Sequence, residues 1–221
     1  MKSKLVIFGA SETAELAKYY FDKFSNYEVV CFCVDDEYIQ DAYLLGLPVI
    51  GFNEACGKFS PSEVKFFVAL GYSQNNELRK EKFNLFKKMG YELATFISPQ
   101  ATILSEIKTG ENCFILENNT VQPFVRIGNN VTLWSGNHIG HHSIIGDHTF
   151  IASHAVISGR VKVGECCFIG INASIRDKII VGNKCVIGAG TLLLNNADPN
   201  GIYRGIKSQR SKVNSSKIKN I

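Results

Sequence analysis

An aliphatic side chain returns at every sixth position through much of the second half of the chain. The series runs from Ile103 to Ile187, and fourteen of its fifteen positions hold Ile, Val or Leu. Neither an α-helix, with 3.6 residues per turn, nor a strand, with alternate residues on one face, has this period. A six-residue period is typical of a parallel β-helix, and three hexapeptides per coil predict about five coils.

The repeat also determines which residues lie above one another. Residues eighteen apart in sequence stack in one column, with about 4.8 Å between coils. One such column contains Pro123, His141, Gly159 and Asp177. Glycine directly follows eight of the fifteen repeat positions, where we expect it to relieve the turns.

Before the repeat, continuous apolar runs alternate with amphipathic segments. Four runs predict buried strands, at 5–8, 29–34, 64–70 and 93–97. Two segments predict helices with one apolar face each, at 11–25 and 75–89. Strands alternating with helices indicate a small parallel sheet with helices on both of its faces. The chain changes character at residues 98–100, where the repeat takes over.

The first turn between strand and helix is a candidate ligand site, because parallel sheets bind ligands where strands end and helices begin. Gly9, Ala10 and Ser11 form that turn, and the following helix start attracts anions. Asp35 and Asp36 close the second strand, where an acid meets a ribose or a base. Only the first glycine of G-x-G-x-x-G is present, so the turn favours a mononucleotide over NAD. A purely structural turn with solvated carboxylates is the alternative.

All five histidines lie between residues 138 and 154, in the middle coils of the predicted β-helix. Imidazole is the side chain suited to accept a proton near neutral pH, so this segment predicts a general base. A zinc site would need cysteine or acidic residues at ligand spacing, and the segment has none there. We therefore predict no metal. Solvated surface histidines remain the other alternative.

Composition narrows the possible functions. The 221 residues are 45% hydrophobic and 20% charged, as in folded proteins, and no apolar run approaches the roughly 20 residues of a membrane-spanning helix. Seven cysteines without a C-x-x-C pair argue against a zinc ribbon or a disulfide framework, so we expect a cytoplasmic protein. Six positive charges lie in residues 204–221, as a tail rather than the stripe that binds nucleic acid. The tail either holds a phosphorylated cofactor or is solvated.

With these features the chain resembles the left-handed β-helix acyltransferases that carry a small nucleotide-binding N-terminal domain. This family includes the bacillosamine-pathway and perosamine N-acetyltransferases and the sialic-acid O-acetyltransferases. The resemblance runs from residues 8–11 through the repeat to 202–205. It implies a small α/β Rossmann-like domain at 1–99 that binds a nucleotide sugar. A left-handed parallel β-helix follows at 100–194, and a loop with a basic tail at 195–221.

The resemblance places a catalytic centre in the β-helix. The family's base is a histidine in the segment H-x-x-I-G, which corresponds to His141. His142 stands where the family usually has the Glu or Asp that orients the ring, so Asn137 or His154 is an alternative source of that orientation. The backbone N–H of Gly159, one coil along, matches the group beside the family's acetyl-CoA thioester. The predicted catalytic residues are His141, His142, Asn137 and Gly159.

The resemblance also implies acetyl-CoA as cosubstrate and a nucleotide-linked sugar as acceptor. Predicted acetyl-CoA contacts are Gly159, Ile171, Gly188, Ala189, Lys207 and Arg210, the last two through their charge. Predicted substrate contacts are Gly9, Ala10, Ser11, Asp35, Asp36, Gly71, Asn76, Arg79, His138 and His154. Many family members carry Gly-His after the first loop. Here Glu12-Thr13 stands there, so we expect sugar recognition to differ.

We therefore predict an acetyl-CoA-dependent N-acetyltransferase acting on the amino group of a nucleotide-linked amino-deoxy sugar by direct transfer. The alternatives are O-acetylation of a sugar such as a sialic acid, an acyl-enzyme on Cys166 or Cys167, and a non-catalytic β-helix scaffold. Family members are trimers with the cofactor between subunits. We expect outward-facing Trp134, Phe150 and Phe168 to be covered in that interface. No nucleic-acid or membrane partner is predicted.

Overall fold

The computed structural model describes residues 2–210. The rest of the basic tail, including residues 214–220 for which disorder is predicted, lies outside the described residues. The chain forms an N-terminal α/β unit followed by a parallel β-helix, as the two hydrophobic patterns predict.

The N-terminal unit is built on a five-stranded sheet. Its elements in chain order are β1 (Ser3–Phe8), α1 (Glu12–Phe24), β2 (Tyr27–Val34), β3 (Tyr43–Leu44), β4 (Leu47–Gly51), α2 (Phe52–Lys58), β5 (Val64–Val68) and α3 (Glu77–Lys88). Short 3₁₀ turns lie at Asp36–Tyr38 and Ser73–Asn76. The strand order is β3-β4-β2-β1-β5, with all pairs parallel except β3 with β4.

Helices cover both faces of this sheet because β1 is apolar on both sides. Leu5 and Ile7 pack in one core with Phe21 of α1. Val6 and Phe8 pack in a second core that includes residues of α2 and α3. A strand buried on both faces is expected to be continuously apolar, which explains why residues 5–8 lack alternation.

Three details of the N-terminal unit differ from the prediction. The strands β3 and β4 and the helix α2 were not predicted, because short segments interrupted by Gly46 and Pro48 have no clear period. The predicted helix 75–89 begins at Glu77, since residues 74–76 have positive φ, and Leu78 and Met89 of its predicted apolar face are exposed. The predicted strand 93–97 is divided: Leu93 forms a single parallel bridge with Phe66 of β5, and Phe96–Ile97 pairs with the β-helix.

The β-helix has three flat faces, each a parallel sheet of two-residue strands. Face 1 contains β7 (Thr102–Ile103), β10 (Thr120–Val121), β13 (His138–Ile139), β16 (Val156–Ile157), β19 (Ser174–Ile175) and β22 (Leu192–Leu193). Face 2 contains β8 (Lys108–Thr109), β11 (Arg126–Ile127), β14 (Ile144–Ile145), β17 (Lys162–Val163) and β20 (Ile180–Val181). Face 3 contains β6 (Phe96–Ile97), β9 (Phe114–Ile115), β12 (Thr132–Leu133), β15 (Phe150–Ile151), β18 (Phe168–Ile169), β21 (Val186–Ile187) and β23 (Ile202–Tyr203).

The register confirms the eighteen-residue stacking. Ile139 pairs with Val121 on one side and Ile157 on the other, and the second residue of each strand faces the interior. We call the turns between faces 1 and 2 edge A, those between faces 2 and 3 edge B, and those between faces 3 and 1 edge C. His141 lies on edge A, His148 on edge B and His154 on edge C.

The turns differ from the prediction in the role of glycine. The left-handed φ occurs three positions after the aliphatic residue, at every sixth residue from Asn112 to Gly190, and includes His142, His148 and His154. The glycines that directly follow the aliphatic residue do not have positive φ. They are needed because the next coil passes close by: a Cβ on Gly146 would lie 2.6 Å from the carbonyl carbon of Gly164.

Replacing Gly146 with alanine is therefore expected to destabilise the fold by about 1–3 kcal/mol, as overpacking in a rigid interior does. Urea unfolding of the variant measures this. Gly57→Ala is the matched control, because Gly57 lies in α2, where an added methyl group would meet no other atom within 4 Å. A gain of helix propensity predicts unchanged or slightly raised stability there. Equal stability of the two variants would contradict the packing explanation.

The N-terminal unit covers face 3 of the β-helix. Phe114 of β9 joins the core around α1, and Tyr72 packs against Phe150 and Phe168 with ring centroids 5.0 and 4.8 Å apart. Phe150 is only 6% exposed. The prediction that Phe150 needs a second subunit to cover it is therefore wrong, because the chain's own N-terminal unit does so, whereas Trp134 and Phe168 stay half-buried.

A buried polar seam joins the two units along edge B. Asn112 binds both the N–H (2.7 Å) and the carbonyl (3.2 Å) of Val68 at the end of β5. Its amide also donates to Asn130, whose amide lies 2.9 Å from Nδ1 of His148. Burial lowers the pKa of His148 to about 4, so this imidazole is neutral and structural. The seam gives the two units a defined relative position.

Candidate active site

A cavity of about 580 Å³ lies at the carboxyl ends of β1 and β2. Gly9, Ala10, Ser11 and Asp35 line it, as the sequence predicts for a ligand site. Gly9 has φ +127°, and a Cβ there would lie 2.8 Å from the Ala69 carbonyl oxygen, so only glycine fits. The backbone can thus approach a ligand next to the start of α1, where unpaired N–H groups favour an anion.

The two predicted acids have different environments. Asp35 faces the cavity and forms an ion pair with Lys82 of α3 at 2.7 Å. Asp36 is not part of the lining, because its carboxylate accepts a hydrogen bond from Asn53 at 2.7 Å. Lys82 was not predicted as a site residue, because in sequence it looks like any other charged residue of a helix.

Asn76 and Arg79 lie outside this cavity, contrary to the predicted substrate role. Both are buried in the seam between the units, where the Arg79 guanidinium donates to the Thr132 hydroxyl, to Asn76 Oδ1 at 3.1 Å and to the His148 carbonyl at 3.2 Å. Burial lowers the pKa of Arg79 to about 10. These contacts fix α3 on the β-helix, which is a structural role.

A second hollow of about 410 Å³, the aromatic recess, lies between the first turn of α1 and face 3 of the β-helix. Its lining consists of Glu12, Thr13, Leu16, Gly71, Tyr72, Trp134, Phe150, Ala152, Ser153, Phe168 and Ile171. Gly71, a predicted substrate contact, is therefore in this recess rather than in the first cavity. Glu12 directly follows Ser11 of the first cavity, so the two hollows adjoin along the start of α1.

The predicted base and its neighbours lie on edge A. The His141 imidazole lies over Gly159, since a Cβ on Gly159 would be 2.7 Å from Nε2 of His141. The Nδ1 atoms of His141 and His142 are 3.1 Å apart. The ring of His142 also contacts Phe124, with ring centroids 4.6 Å apart. Both imidazoles are exposed.

Asn137 takes no part in this arrangement. Its side chain is 1% exposed, donates to the Trp134 carbonyl at 2.5 Å and accepts from the Ala155 N–H at 2.8 Å. His154 lies on edge C, with its ring against Gly136, and His138 lies on face 1. The side chain that the structure puts against Nδ1 of His141 is His142, and not Asn137 or His154.

The predicted cofactor residues are divided between two edges. Gly159 is on edge A with His141, whereas Ile171, Gly188 and Ala189 are on edge C. Lys207 and Arg210 are exposed in the segment after β23. Within one chain these residues do not converge on a single point.

The same division separates His141, the predicted base, from the N-terminal cavity. The N-terminal unit covers face 3, and edge A is the edge opposite that face in a three-sided coil. A ligand in the cavity or the aromatic recess therefore lies on the far side of the β-helix from His141 of its own chain.

Within residues 2–210, no group of three or more His, Cys, Asp or Glu side chains is placed to hold a metal ion. None of the described helices is long and apolar enough to cross a membrane. Cys167 is fully buried, and burial raises its thiol pKa to about 12, which disfavours the acyl-enzyme alternative at that residue.

Comparison with solved structures identifies proteins of the same fold. The acetyltransferase domain of PglB from Neisseria gonorrhoeae, solved with acetyl coenzyme A, matches with a TM-score of 0.82 and 23% identity, over 93% of this chain and 97% of that one. PerB from Caulobacter crescentus, solved with CoA and GDP-perosamine, matches with a TM-score of 0.82 and 22% identity. The match covers 92% of this chain and 94% of PerB. WeeI from Acinetobacter baumannii matches with a TM-score of 0.68 and 20% identity, over 91% of this chain and 96% of WeeI. This likeness confirms the predicted left-handed β-helix.

Family models match both parts of the chain. The PglD N-terminal domain matches residues 4–86, and the six-repeat bacterial transferase hexapeptide matches 106–140, 124–159 and 160–195. A search of the curated proteins gave no significant match. Together the two models account for the N-terminal unit and nearly the whole β-helix. The chain belongs to the bacterial transferases of the hexapeptide-repeat type that carry a PglD N-terminal domain.

Proposed function

We propose that the protein is an acetyl-CoA-dependent N-acetyltransferase that acts on the amino group of a nucleotide-linked amino-deoxy sugar. The observation that carries this proposal is the position of the His141 imidazole over the Gly159 backbone on an exposed edge of the β-helix. Support also comes from the fold shared with PglB, solved with acetyl coenzyme A, and PerB, solved with CoA and GDP-perosamine.

The substrate occupies the two adjoining hollows of the N-terminal unit. The nucleoside lies in the first cavity with its ribose near Asp35, and the diphosphate lies at the turn of Gly9 to Ser11, where the start of α1 favours negative charge. From there the sugar extends past Glu12 into the aromatic recess.

His141 acts as the general base through Nε2. With its proton on Nδ1, donated to Nδ1 of His142, the lone pair of Nε2 faces the Gly159 side, where the acceptor amine is to react. The amine nitrogen attacks the thioester carbonyl carbon and His141 takes its proton. Collapse of the tetrahedral intermediate breaks the C–S bond, and the imidazolium returns the proton to the leaving thiolate.

The Gly159 N–H is the donor proposed for the developing oxyanion. Within the described part of the chain it donates to no protein acceptor, whereas the Gly159 carbonyl accepts from the Lys178 N–H at 3.0 Å. Backbone donors of this kind stabilise the charge of acyl-transfer intermediates. The absence of a side chain at Gly159 keeps this position open beneath the imidazole.

A complete site requires two subunits. Because edge A lies opposite the face that carries the N-terminal unit, His141 has to serve a substrate held by a neighbouring chain. The same arrangement brings Gly159 on edge A of one chain together with Ile171 and Ala189 on edge C of the next. We propose a cyclic homotrimer, a closed arrangement in which edge A of each chain lies beside edge C of the next chain.

The reaction itself is tested by incubating the protein with acetyl-CoA and a panel of nucleotide-linked amino sugars. Release of CoA together with a product heavier by one acetyl group, attached to nitrogen, is the expected result. Acetyl groups found only on sugar hydroxyls would favour the O-acetyltransferase alternative. No binding of acetyl-CoA in the micromolar range would favour a scaffold.

His142→Ala is expected to lower kcat by about tenfold to hundredfold with little change in the KM for acetyl-CoA, because the residue fixes the tautomer of His141 without touching the reacting atoms. Steady-state kinetics of both substrates measures this. His142→Glu is expected to recover most of kcat, since a carboxylate accepts the same Nδ1–H. Equal activity of the two variants would contradict the orienting role.

A further inference from the structure

The aromatic recess combines two features that together suit one chemical group. Trp134 and Phe150 stack with centroids 5.7 Å apart, Phe150 and Phe168 stack at 5.8 Å, and Tyr72 closes the row against Phe168. This row of aromatic rings thus lines one side of the recess. On the other side lies the first turn of α1.

Glu12 brings the one carboxylate to this lining. It is the first residue of α1 and is exposed, and no ion pair or side-chain hydrogen bond engages it among residues 2–210. Its neighbours in the lining are uncharged. A carboxylate that lines the same hollow as several aromatic rings, without a cation of its own, is an environment that attracts a positively charged ligand group.

Arg79 does not supply a cation to Glu12. The Arg79 guanidinium carbon is 5.8 Å from the Phe150 ring centroid, but Arg79 lines the small cavity behind the recess and not the recess itself. The Phe150 ring therefore already has a cation partner in Arg79. Within residues 2–210 no cation lies over Trp134, Phe168 or Tyr72, which line the recess.

We propose that Glu12 and this aromatic wall select an acceptor whose sugar carries a protonated amino group, and so discriminate amino sugars from hydroxy sugars. This inference rests on the proposed function, in which the sugar extends from the first cavity past Glu12. The ammonium ion binds between carboxylate and rings, and it releases one proton to solvent before the neutral amine attacks the thioester. A hydroxyl in the same place leaves the carboxylate without a charged partner.

Direct binding without an acyl donor tests the inference. The native protein is titrated calorimetrically with a nucleoside-diphosphate amino-dideoxyhexose and with its hydroxy analogue, both on whichever of UDP, GDP or dTDP binds tightest. The amino form is expected to bind at least about tenfold more tightly at pH 7, the scale of a charge-assisted contact. This preference should fade as the pH rises above the pKa of the ligand's ammonium group.

Glu12→Gln keeps the shape of the side chain and removes its charge. The variant is expected to lose the preference for the amino form, while its affinity for the hydroxy analogue and for the free nucleoside diphosphate stays within about twofold, since no other lining group changes. Glu15→Gln is the matched control: Glu15 lies in the same first turn of α1 but does not line the recess. It should bind like the native protein.

A preference unchanged in Glu12→Gln, or equal binding of the two sugars by the native protein, would overturn the inference. Neither result touches the proposed function, which fails if acetyl-CoA transfers no acetyl group to the amino group of any nucleotide-linked sugar. If neither sugar form binds more tightly than the free nucleoside diphosphate, the recess does not hold the sugar and the inference is also overturned.

Discussion

Replacing His141 with asparagine is expected to lower kcat by about 10²–10⁴-fold, the usual contribution of a general base. Asparagine keeps much of the volume over Gly159 and still offers a hydrogen-bonding amide near His142, but it takes no proton at neutral pH. The affinity for acetyl-CoA should stay nearly unchanged, because the imidazole acts on the attacking nitrogen. Steady-state kinetics and acetyl-CoA titration measure the two quantities separately.

Thermal unfolding of the His141→Asn variant is the control, because it shows whether the fold is intact. The His141 side chain is exposed and, within residues 2–210, its ring contacts His142 and Gly159, so the thermal unfolding temperature should not move. Retention of more than half of the native activity would show that another group accepts the proton. Loss of acetyl-CoA binding with unchanged kcat would instead assign His141 to the cofactor.

The β-helix was predictable from the sequence because its interior admits one kind of residue at one interval. Each coil is too narrow to repack, so the aliphatic residues that lie in the buried core, such as Ile139 and Ile157, reappear at every sixth position. Stacking then follows from arithmetic, which is why the adjacency of His141 and Gly159 could be predicted from their spacing alone.

Contacts between the two units could not be predicted in the same way. An outward aromatic residue such as Phe150 needs a cover, but the repeat says nothing about whether the same chain or another one supplies it. Arg79 raises the same difficulty: in sequence it is an arginine near a glycine-ended strand, and only the packing of α3 onto Thr132 reveals its burial. The short apolar run 93–97 likewise divides between two sheets, with Leu93 bridging Phe66 and Phe96–Ile97 joining the β-helix, which its sequence does not reveal.

In the candidate site, backbone requirements were easier to predict than side-chain directions. Gly9 is identified by the strand-to-helix turn it must make, and the structure supplies the reason in the Ala69 carbonyl. Asn137 is close to His141 in sequence, and this proximity suggested a polar partner for the imidazole. Its position four residues after an aliphatic one points it inward, where it holds the turn of its own coil.

The proposed sharing of each site between two chains predicts complementation of two inactive variants. His141→Ala removes the base, and Ala10→Trp fills the nucleotide cavity, which Ala10 lines. Each variant alone should have less than about 1% of the native activity, given the size of the base's contribution. Produced together, they form mixed trimers in which some sites pair an intact histidine with an intact cavity.

The recovered activity has a calculable size. When the two variants are made in equal amounts and assemble at random, half of the chains keep His141 and half keep the cavity, so about a quarter of the sites are intact in a cyclic trimer. The native protein diluted to a quarter gives the reference rate. The two variants folded separately and then mixed should stay inactive for as long as their subunits do not exchange.

Co-produced variants that stay at the sum of their separate activities would place base and nucleotide on the same chain and refute the shared site. That outcome conflicts with the fold for a physical reason. The N-terminal unit is held on face 3 by the buried contacts of Asn112, Arg79 and Tyr72, so it cannot swing to edge A without exposing the aromatic rings of that face. Recovery near one quarter is therefore the result expected from the topology.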